Sequence, residues 1–185
     1  MVRKMILLAL AAVVAAAAAP KPPAKPAAHP PARSSAAKPA AASPAVDPRD
    51  PGTLIAILTG LGAKAEVARR EADAVFLAVT SPAETFSAQF AGCDAKGDDC
   101  QALLFDRPGG QGAPSLAQLN AFNQTSMMCR AYQDKGGRPH VQYSALLFVR
   151  DGRAEMLTHL NAWRGCIGEF EAFLKDPAGY LAGAA

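Results

Sequence analysis

Residues 74–90 read AVFLAVTSPAETFSAQF, and this stretch decides the fold class. Residues 74–80 are rich in Val, Phe and Leu, and residues 85–90 alternate between apolar and polar, as half-buried strands do. The residues of the second segment that share one face are Phe86, Ala88 and Phe90. Ser-Pro at 81–82 predicts a turn between the two segments. Because so short a connection cannot hold a crossover helix, we expect the two strands to pair antiparallel.

Four further segments have the composition of strands. Turn-forming stretches rich in Gly, Asp and Pro separate them, which favours an antiparallel meander over alternating strands and helices. The predicted strands are residues 64–69, 101–105, 129–133 and 140–149. A Gly-rich stretch at 108–114 lacks the Lys-Ser/Thr ending of a phosphate-binding loop, so we interpret it as a connection.

Three segments have the apolar spacing and the boundary residues of helices. The first begins at the Asp-Pro pair 50–51 and ends near Gly60, and the second begins at a capping box, S-x-x-Q at 115–118, and ends near Ser126. The third follows Asp-Gly at 151–152 and ends at Asp-Pro 176–177. Its apolar repeat comprises Met156, Leu160, Trp163, Ile167, Phe170 and Leu174. The order α-β-β-β-β-α-β-β-α predicts an α+β fold, with helices packed on an antiparallel sheet.

The N-terminal segment has the three parts of a bacterial secretory signal peptide. Arg3 and Lys4 precede an apolar run that ends in an Ala tract, where cleavage near Ala17–Ala19 is expected. The alternative is an uncleaved membrane anchor. The apolar run is short for a bilayer, which needs about 20 residues. We therefore expect a cleaved signal peptide over residues 1–19 and a periplasmic protein. Only an uncleaved leader would bring the protein into contact with a membrane.

Residues 20–50 form a Pro/Ala/Lys-rich segment that we interpret as a disordered spacer before a single domain at 51–185. Residues 1–50 carry seven Lys/Arg and two Asp, a balance of +5, whereas the remainder carries twelve Lys/Arg and fourteen Asp/Glu, a balance of −2. The predicted domain therefore has no basic cluster suited to nucleic acid. The basic spacer could instead rest on anionic envelope polymers.

The chain has four cysteines, which allow three disulfide connectivities. Cys93 and Cys100 bracket DAKGDD at the junction of two predicted strands, where the chain ends lie close enough for a bridge. Cys129 begins a predicted strand and Cys166 lies on the last helix, so these two meet if that helix packs on the sheet. We expect the pairs Cys93–Cys100 and Cys129–Cys166. The alternative of metal binding finds no C-x-x-C to support it.

The chain contains no G-x-S-x-G, H-E-x-x-H or dinucleotide-binding fingerprint. His140 begins a predicted strand and His159 lies beside Leu160 on the last helix, and neither has metal-ligand spacing to the cysteines. The acidic residues at 94–99 lack the alternating order of a Ca²⁺ loop. We therefore expect no enzyme, no catalytic residue, no metal and no cofactor.

Several short motifs resemble one bacterial family. Phe-x-Gly-Cys at 90–93 precedes an acidic loop and Cys100, and the segment FNQTSMMCRAYQDKGGRPHVQYSALL at 122–147 precedes a terminal helix that carries Trp163. This arrangement resembles the YbjN-domain family, described as bacterial sensory transduction regulators, and in particular its exported branch that contains cysteines.

The resemblance covers residues 51–175 and implies a fold similar to that of type III secretion chaperones, which are small protein-binding scaffolds. The chain departs from the family pattern at Phe122–Asn123, where a Trp-Asn pair is expected, and at Cys129, where Gly is expected. The second departure suggests that Cys129 and Cys166 were acquired as a pair. The family supplies no catalytic residues to transfer.

These observations favour a non-catalytic binding or regulatory module whose partner is an envelope protein or peptide. The strand at 140–149 is the candidate recognition element, with Tyr143, Val141 and Phe148 as candidate partner-binding residues, although burial under the last helix explains its apolar character almost as well. The alternative is a structural or stress-protective envelope protein whose basic spacer contacts anionic polymers. A hydrolase with an unrecognised site is a third hypothesis, which no motif favours.

Overall fold

The computed structural model describes residues 46–150 and 152–184. The predicted signal peptide and residues 20–45 of the predicted spacer lie outside them. The last residues of that spacer segment contact the domain: the Arg49 guanidinium lies 2.8 Å from Asp99, and the backbone N–H of Cys100 donates to the Arg49 carbonyl at 3.1 Å. Pro48 is also buried. The described fold therefore includes residues before Pro51.

The described residues form a six-stranded sheet and four helices, and the architecture is α+β as predicted. The strands lie in the order β1-β2-β3-β4-β6-β5, and every neighbouring pair is antiparallel. In chain order the elements are α1 (Pro51–Gly60), β1 (Lys64–Arg70), β2 (Ala74–Thr80), β3 (Thr85–Ala91), β4 (Ala102–Pro108), α2 (Leu116–Thr125), β5 (Cys129–Gln133), β6 (Pro139–Leu146), α3 (Gly152–Lys175) and α4 (Pro177–Gly183).

One face of the sheet is buried beneath the helices. A row of cross-strand neighbours runs from Leu77 through Ala88 and Phe105 to Tyr143, and all four side chains are buried. Trp163 of α3 packs on this row, with its ring centroid 5.7 Å from that of Phe105. The predicted apolar repeat of α3 is buried along its whole length. Burial of this face accounts for the alternating pattern of β3.

The predicted capping residues occupy their positions. The Asp50 side chain accepts a hydrogen bond from the Gly52 N–H at 2.7 Å, and Ser115 and Gln118 form the reciprocal capping box of α2. A further short helix, α4, follows α3 where we expected only a helix end. Asp176 accepts from the Gly179 N–H at 3.0 Å and Pro177 stands at the first helical position. The same Asp-Pro signal that begins α1 thus begins α4.

β6 is shorter than predicted, because it ends at Leu146 rather than at residue 149. Its partner β4 begins at Ala102, which pairs with Leu146, so no strand is available to continue the ladder. The Leu147 N–H still donates to the Gln101 carbonyl at 2.9 Å, and the side chain of Leu147 is buried. Phe148 and Val149 therefore lie in the connection to α3.

Both expected cysteine pairs are disulfide-bonded. Cys93–Cys100 closes the connection between β3 and β4, and Cys129–Cys166 joins β5 to α3, with Cα atoms 5.4 Å apart. The second bridge confirms that α3 packs on the sheet. Across residues 46–150 and 152–184, no helix combines the length and the apolar character needed to cross a bilayer.

Candidate functional site

The sheet face opposite to the helices carries a mixed, partly exposed surface, which we call the open face. One row of cross-strand neighbours on this face runs from Ala78 through Ser87 and Asp106 to Gln142, and none of these side chains is buried. Antiparallel sheets often leave one face to solvent in this way. The open face is therefore where a ligand could reach the sheet.

β3 and β4 separate at one end of the open face. Their register ends at Ser87↔Asp106, and extending it by two residues along each strand would set Thr85 opposite Pro108. Proline has no backbone N–H, so it cannot donate to the strand opposite. β4 remains paired with β6 as far as Pro108, and β3 remains paired with β2 as far as Thr85. The sheet thus opens into a gap between two otherwise intact strand pairs.

A groove of about 730 Å³ lies over this gap. That volume falls within the range of ligand sites in proteins, about 300–1,000 Å³. Its walls come from β1 to β4, the loop after β4 and the turn before β6. Its lining includes Arg69, Phe76, Ala78, Asp106, Pro108 and Arg138. We call this site the sheet groove.

Cations line the rim of the sheet groove. The Arg69 guanidinium stacks on the Phe76 ring, 4.0 Å from its centroid, and also lies 3.3 Å from Glu71. Arg107 forms an ion pair with Glu171 of α3 at 2.9 Å, so its charge is compensated. Arg138 forms no ion pair with any described residue. Arg69 and Arg138 are therefore the two cations available at the groove.

Asp106, the carboxylate that lines the groove, is already engaged. One oxygen lies 2.9 Å from His140 Nδ1, and the other accepts from the Tyr132 hydroxyl at 3.0 Å. Burial and the bond to Asp106 raise the pKa of Tyr132 to about 12. Tyr132 therefore stays protonated and donates, and it cannot serve as a base near neutral pH.

His140 is likewise held on both sides. Its Nδ1 faces Asp106, and its Nε2 lies 3.6 Å from a carboxylate oxygen of Asp134. Backbone N–H groups of Arg138 and Gly136 donate to the other oxygen of Asp134 and lower the pKa of Asp134. Both ring nitrogens of His140 thus face carboxylates. This cluster links β4, β5 and β6 beside the groove.

The structure separates the three candidate partner-binding residues. Val141 and Tyr143 are buried on the helix side of β6, and the Tyr143 hydroxyl lies 2.8 Å from His159 Nδ1. Phe148 is 47 % exposed and lies beyond the end of β6, with Arg150 near its ring. A charge placed at Tyr143 would therefore test folding, not recognition. None of the three lines the sheet groove.

His159 and Trp163 are buried on α3. Among the described residues, neither His159 Nε2 nor Trp163 Nε1 has a hydrogen-bond partner. In the same part of the chain, no group of three or more His, Cys, Asp or Glu side chains could hold a metal ion. Among the described residues, the buried side chains of His159 and Trp163 therefore belong to no set of metal ligands.

Sequence reasoning did not find the residues of the sheet groove. Arg69, Phe76 and Arg138 come from three separate segments, and only the folded sheet places them around one gap. A signal was available at Pro108, since a proline at the end of a strand marks a place where pairing stops.

No protein family, curated protein or solved structure matches the chain.

Proposed function

We propose that this protein is a non-catalytic binding module and that the sheet groove is its ligand site. The observation that carries the proposal is the groove itself, a cleft of about 730 Å³ at a place where two strand pairs separate. Its floor includes Phe76 and its rim includes two available arginines, a combination of apolar surface and convergent polar groups that is typical of binding sites. The titratable groups beside it satisfy one another.

We further propose that the module is exported to the bacterial periplasm and binds an envelope protein or peptide there. All four cysteines are paired, and disulfides persist in oxidising compartments. The signal-peptide pattern of residues 1–19 supports export, and the resemblance to the YbjN-domain family supports a regulatory role. The bridge Cys93–Cys100 in the β3–β4 connection and the helix-to-sheet bridge Cys129–Cys166 would keep the open face rigid.

Site-specific photo-crosslinking in the bacterial envelope tests this proposal. A benzophenone amino acid at Ala68, an exposed residue that lines the groove, should give a discrete adduct. The same group at Ala154, an exposed position on α3, is the matched control and should give none. Equal adducts at both positions, or none at Ala68, would show that the groove is not the binding site.

A further inference from the structure

We infer that the sheet groove binds an extended peptide segment in which carboxylate side chains flank an apolar residue. This inference rests on the proposed function and names the class of its ligand. Three features of the groove select such a segment: its uncompensated charge, its aromatic floor and the strand backbone exposed at its gap.

Three arginines and one aspartate line the groove, so its lining carries a formal charge of +2. Asp106 accepts from Tyr132 and faces His140, while Arg107 is compensated by Glu171. Nearby, Asp134 is engaged by the backbone N–H groups of its own turn and by His140. On β1, Glu66 pairs with Lys64 at 3.0 Å.

Arg69 and Arg138 remain to attract an anion. The Arg69–Glu71 contact at 3.3 Å joins two side chains that are both at least half exposed. Solvent screening makes such surface pairs weak, so Glu71 does not cancel the charge of Arg69.

The contact with Phe76 places the Arg69 cation over an aromatic ring. A guanidinium held over an aromatic ring can still donate two N–H groups to a carboxylate in a bidentate manner. Phe76 and Ala78 then provide an apolar surface beside the bound carboxylate. A ligand that matches both features has an acidic group next to an apolar one.

The exposed backbone at the gap favours a peptide over other anions. The Ser81 N–H donates to the Glu84 carbonyl, so that carbonyl points toward Ser81. Backbone directions alternate along a strand, so the N–H and C=O groups of the next residue, Thr85, face away from β2 and toward β4. Pro108 stands opposite and cannot donate to it. An extended peptide could bond to Thr85 as an added strand does. An anionic polysaccharide has no such backbone ladder.

Fluorescence anisotropy with defined peptides tests the inference on the full chain. The probe is a fluorescein-labelled octapeptide of alternating Phe and Asp, and the matched peptides replace Asp by Asn or by Lys. We expect the Asp peptide to bind about tenfold more tightly than the Asn peptide, as charge-assisted hydrogen bonds predict. The Lys peptide should bind with the lowest affinity, and added salt should weaken the binding of the Asp peptide.

Variants locate the binding. Arg69→Gln and Arg138→Gln should each weaken the Asp peptide about tenfold while leaving the Asn peptide unchanged. Arg153→Gln changes an exposed arginine on α3 and should have no effect. Circular dichroism and urea midpoints establish that all three variants fold. Ala78→Trp fills the groove and should abolish binding of both peptides.

Each contrary outcome has a distinct meaning. Equal binding of the Asp and Asn peptides, lost in Ala78→Trp, would overturn the charge preference and leave the binding module intact. Binding of oligogalacturonate, but of no peptide, with loss in Arg69→Gln would overturn the peptide assignment. Binding that none of the groove variants changes would overturn both this inference and the groove as the ligand site.

Discussion

The side-chain amide of Asn123 is bonded twice to the backbone of Ala131 at the outer edge of β5. Its Oδ1 accepts from the Ala131 N–H at 2.7 Å, and its Nδ2 donates to the Ala131 carbonyl at 2.9 Å. The side-chain amide has one N–H donor and one carbonyl acceptor directed at Ala131, as the backbone of a neighbouring strand would have. It therefore occupies the place of another strand at this edge. The other edge strand, β1, instead carries charged residues and a bulge between Val67 and Arg69. Both devices discourage pairing with another chain.

Replacing Asn123 should therefore weaken the fold and expose an edge. We expect Asn123→Ala to reduce the free energy of unfolding by about 1–3 kcal/mol, because it leaves two backbone groups of Ala131 without partners. The exposed edge should also promote dimers or larger species in size-exclusion chromatography. Gln124→Ala, at the exposed next position, is the control. A stable and monomeric Asn123→Ala protein would contradict this role.

The two disulfides should differ in their contribution to stability. Cys129–Cys166 spans 37 residues and Cys93–Cys100 spans 7. Loop-closure entropy predicts that removing the long bridge costs about 4 kcal/mol and removing the short one about 2.5 kcal/mol. Urea denaturation of the two double variants, Cys129→Ala with Cys166→Ala and Cys93→Ala with Cys100→Ala, measures both losses. A larger loss from the short bridge would show that strain or residual structure dominates.

Local patterns predicted most of the fold because they report backbone propensity and burial directly. The α3 repeat, the alternation of β3 and the capping box of α2 each depend on residues close in the chain, and the structure has all three. The insertion of β6 between β4 and β5 depends on distant residues, so the sequence left it open. The Asp-Pro pair at 176–177 is compatible both with the end of one helix and with the start of another. The structure shows that it follows the end of α3 and begins α4.

The candidate site was harder to predict than the fold. Tyr143 and Val141 were candidates because they are apolar, but apolar character serves the core as readily as an interface, and the structure buries both. The residues of the sheet groove have ordinary local contexts. Arg69 reads as a charged edge residue and Phe76 as core. Their juxtaposition across β1 and β2 arises from the bulge in β1, which pairs Arg69 with Phe76.

The hydrogen bond between Tyr143 and His159 should stabilise the core. Tyr143→Phe keeps the ring but removes the hydroxyl 2.8 Å from His159 Nδ1, so a buried polar atom loses its partner. We expect a loss of about 1–3 kcal/mol in urea denaturation. Tyr132→Phe breaks an exposed bond to Asp106 and should cost less. Equal losses in the two variants would argue against a buried, structural bond at Tyr143.

Tyrosine ionisation should report the wall of the groove. The folded-state pKa of Tyr132 is raised to about 12, above the ordinary value of 10.0. The stabilisation linked to this group is therefore fully present below pH 10 and is lost as pH rises toward 12. Burial also raises the pKa values of Tyr143 and Tyr180, so absorbance at 295 nm should show a late tyrosine step that is smaller in Tyr132→Phe. A full titration of the native protein near pH 10 would contradict the contact with Asp106.

The gap between β3 and β4 should depend on Pro108. Pro108→Ala restores a backbone N–H opposite Thr85, which allows the ladder to extend by one more pair and narrows the groove. Hydrogen exchange should show a protected amide at position 108. The affinity of the Asp peptide should fall several-fold, which corresponds to the free energy of about one or two hydrogen bonds. Pro82→Ala changes an exposed proline in the β2–β3 turn and should alter neither result. An unprotected amide at position 108 together with unchanged peptide binding would mean that Gly109 and Gly110, and not the proline, hold the strands apart.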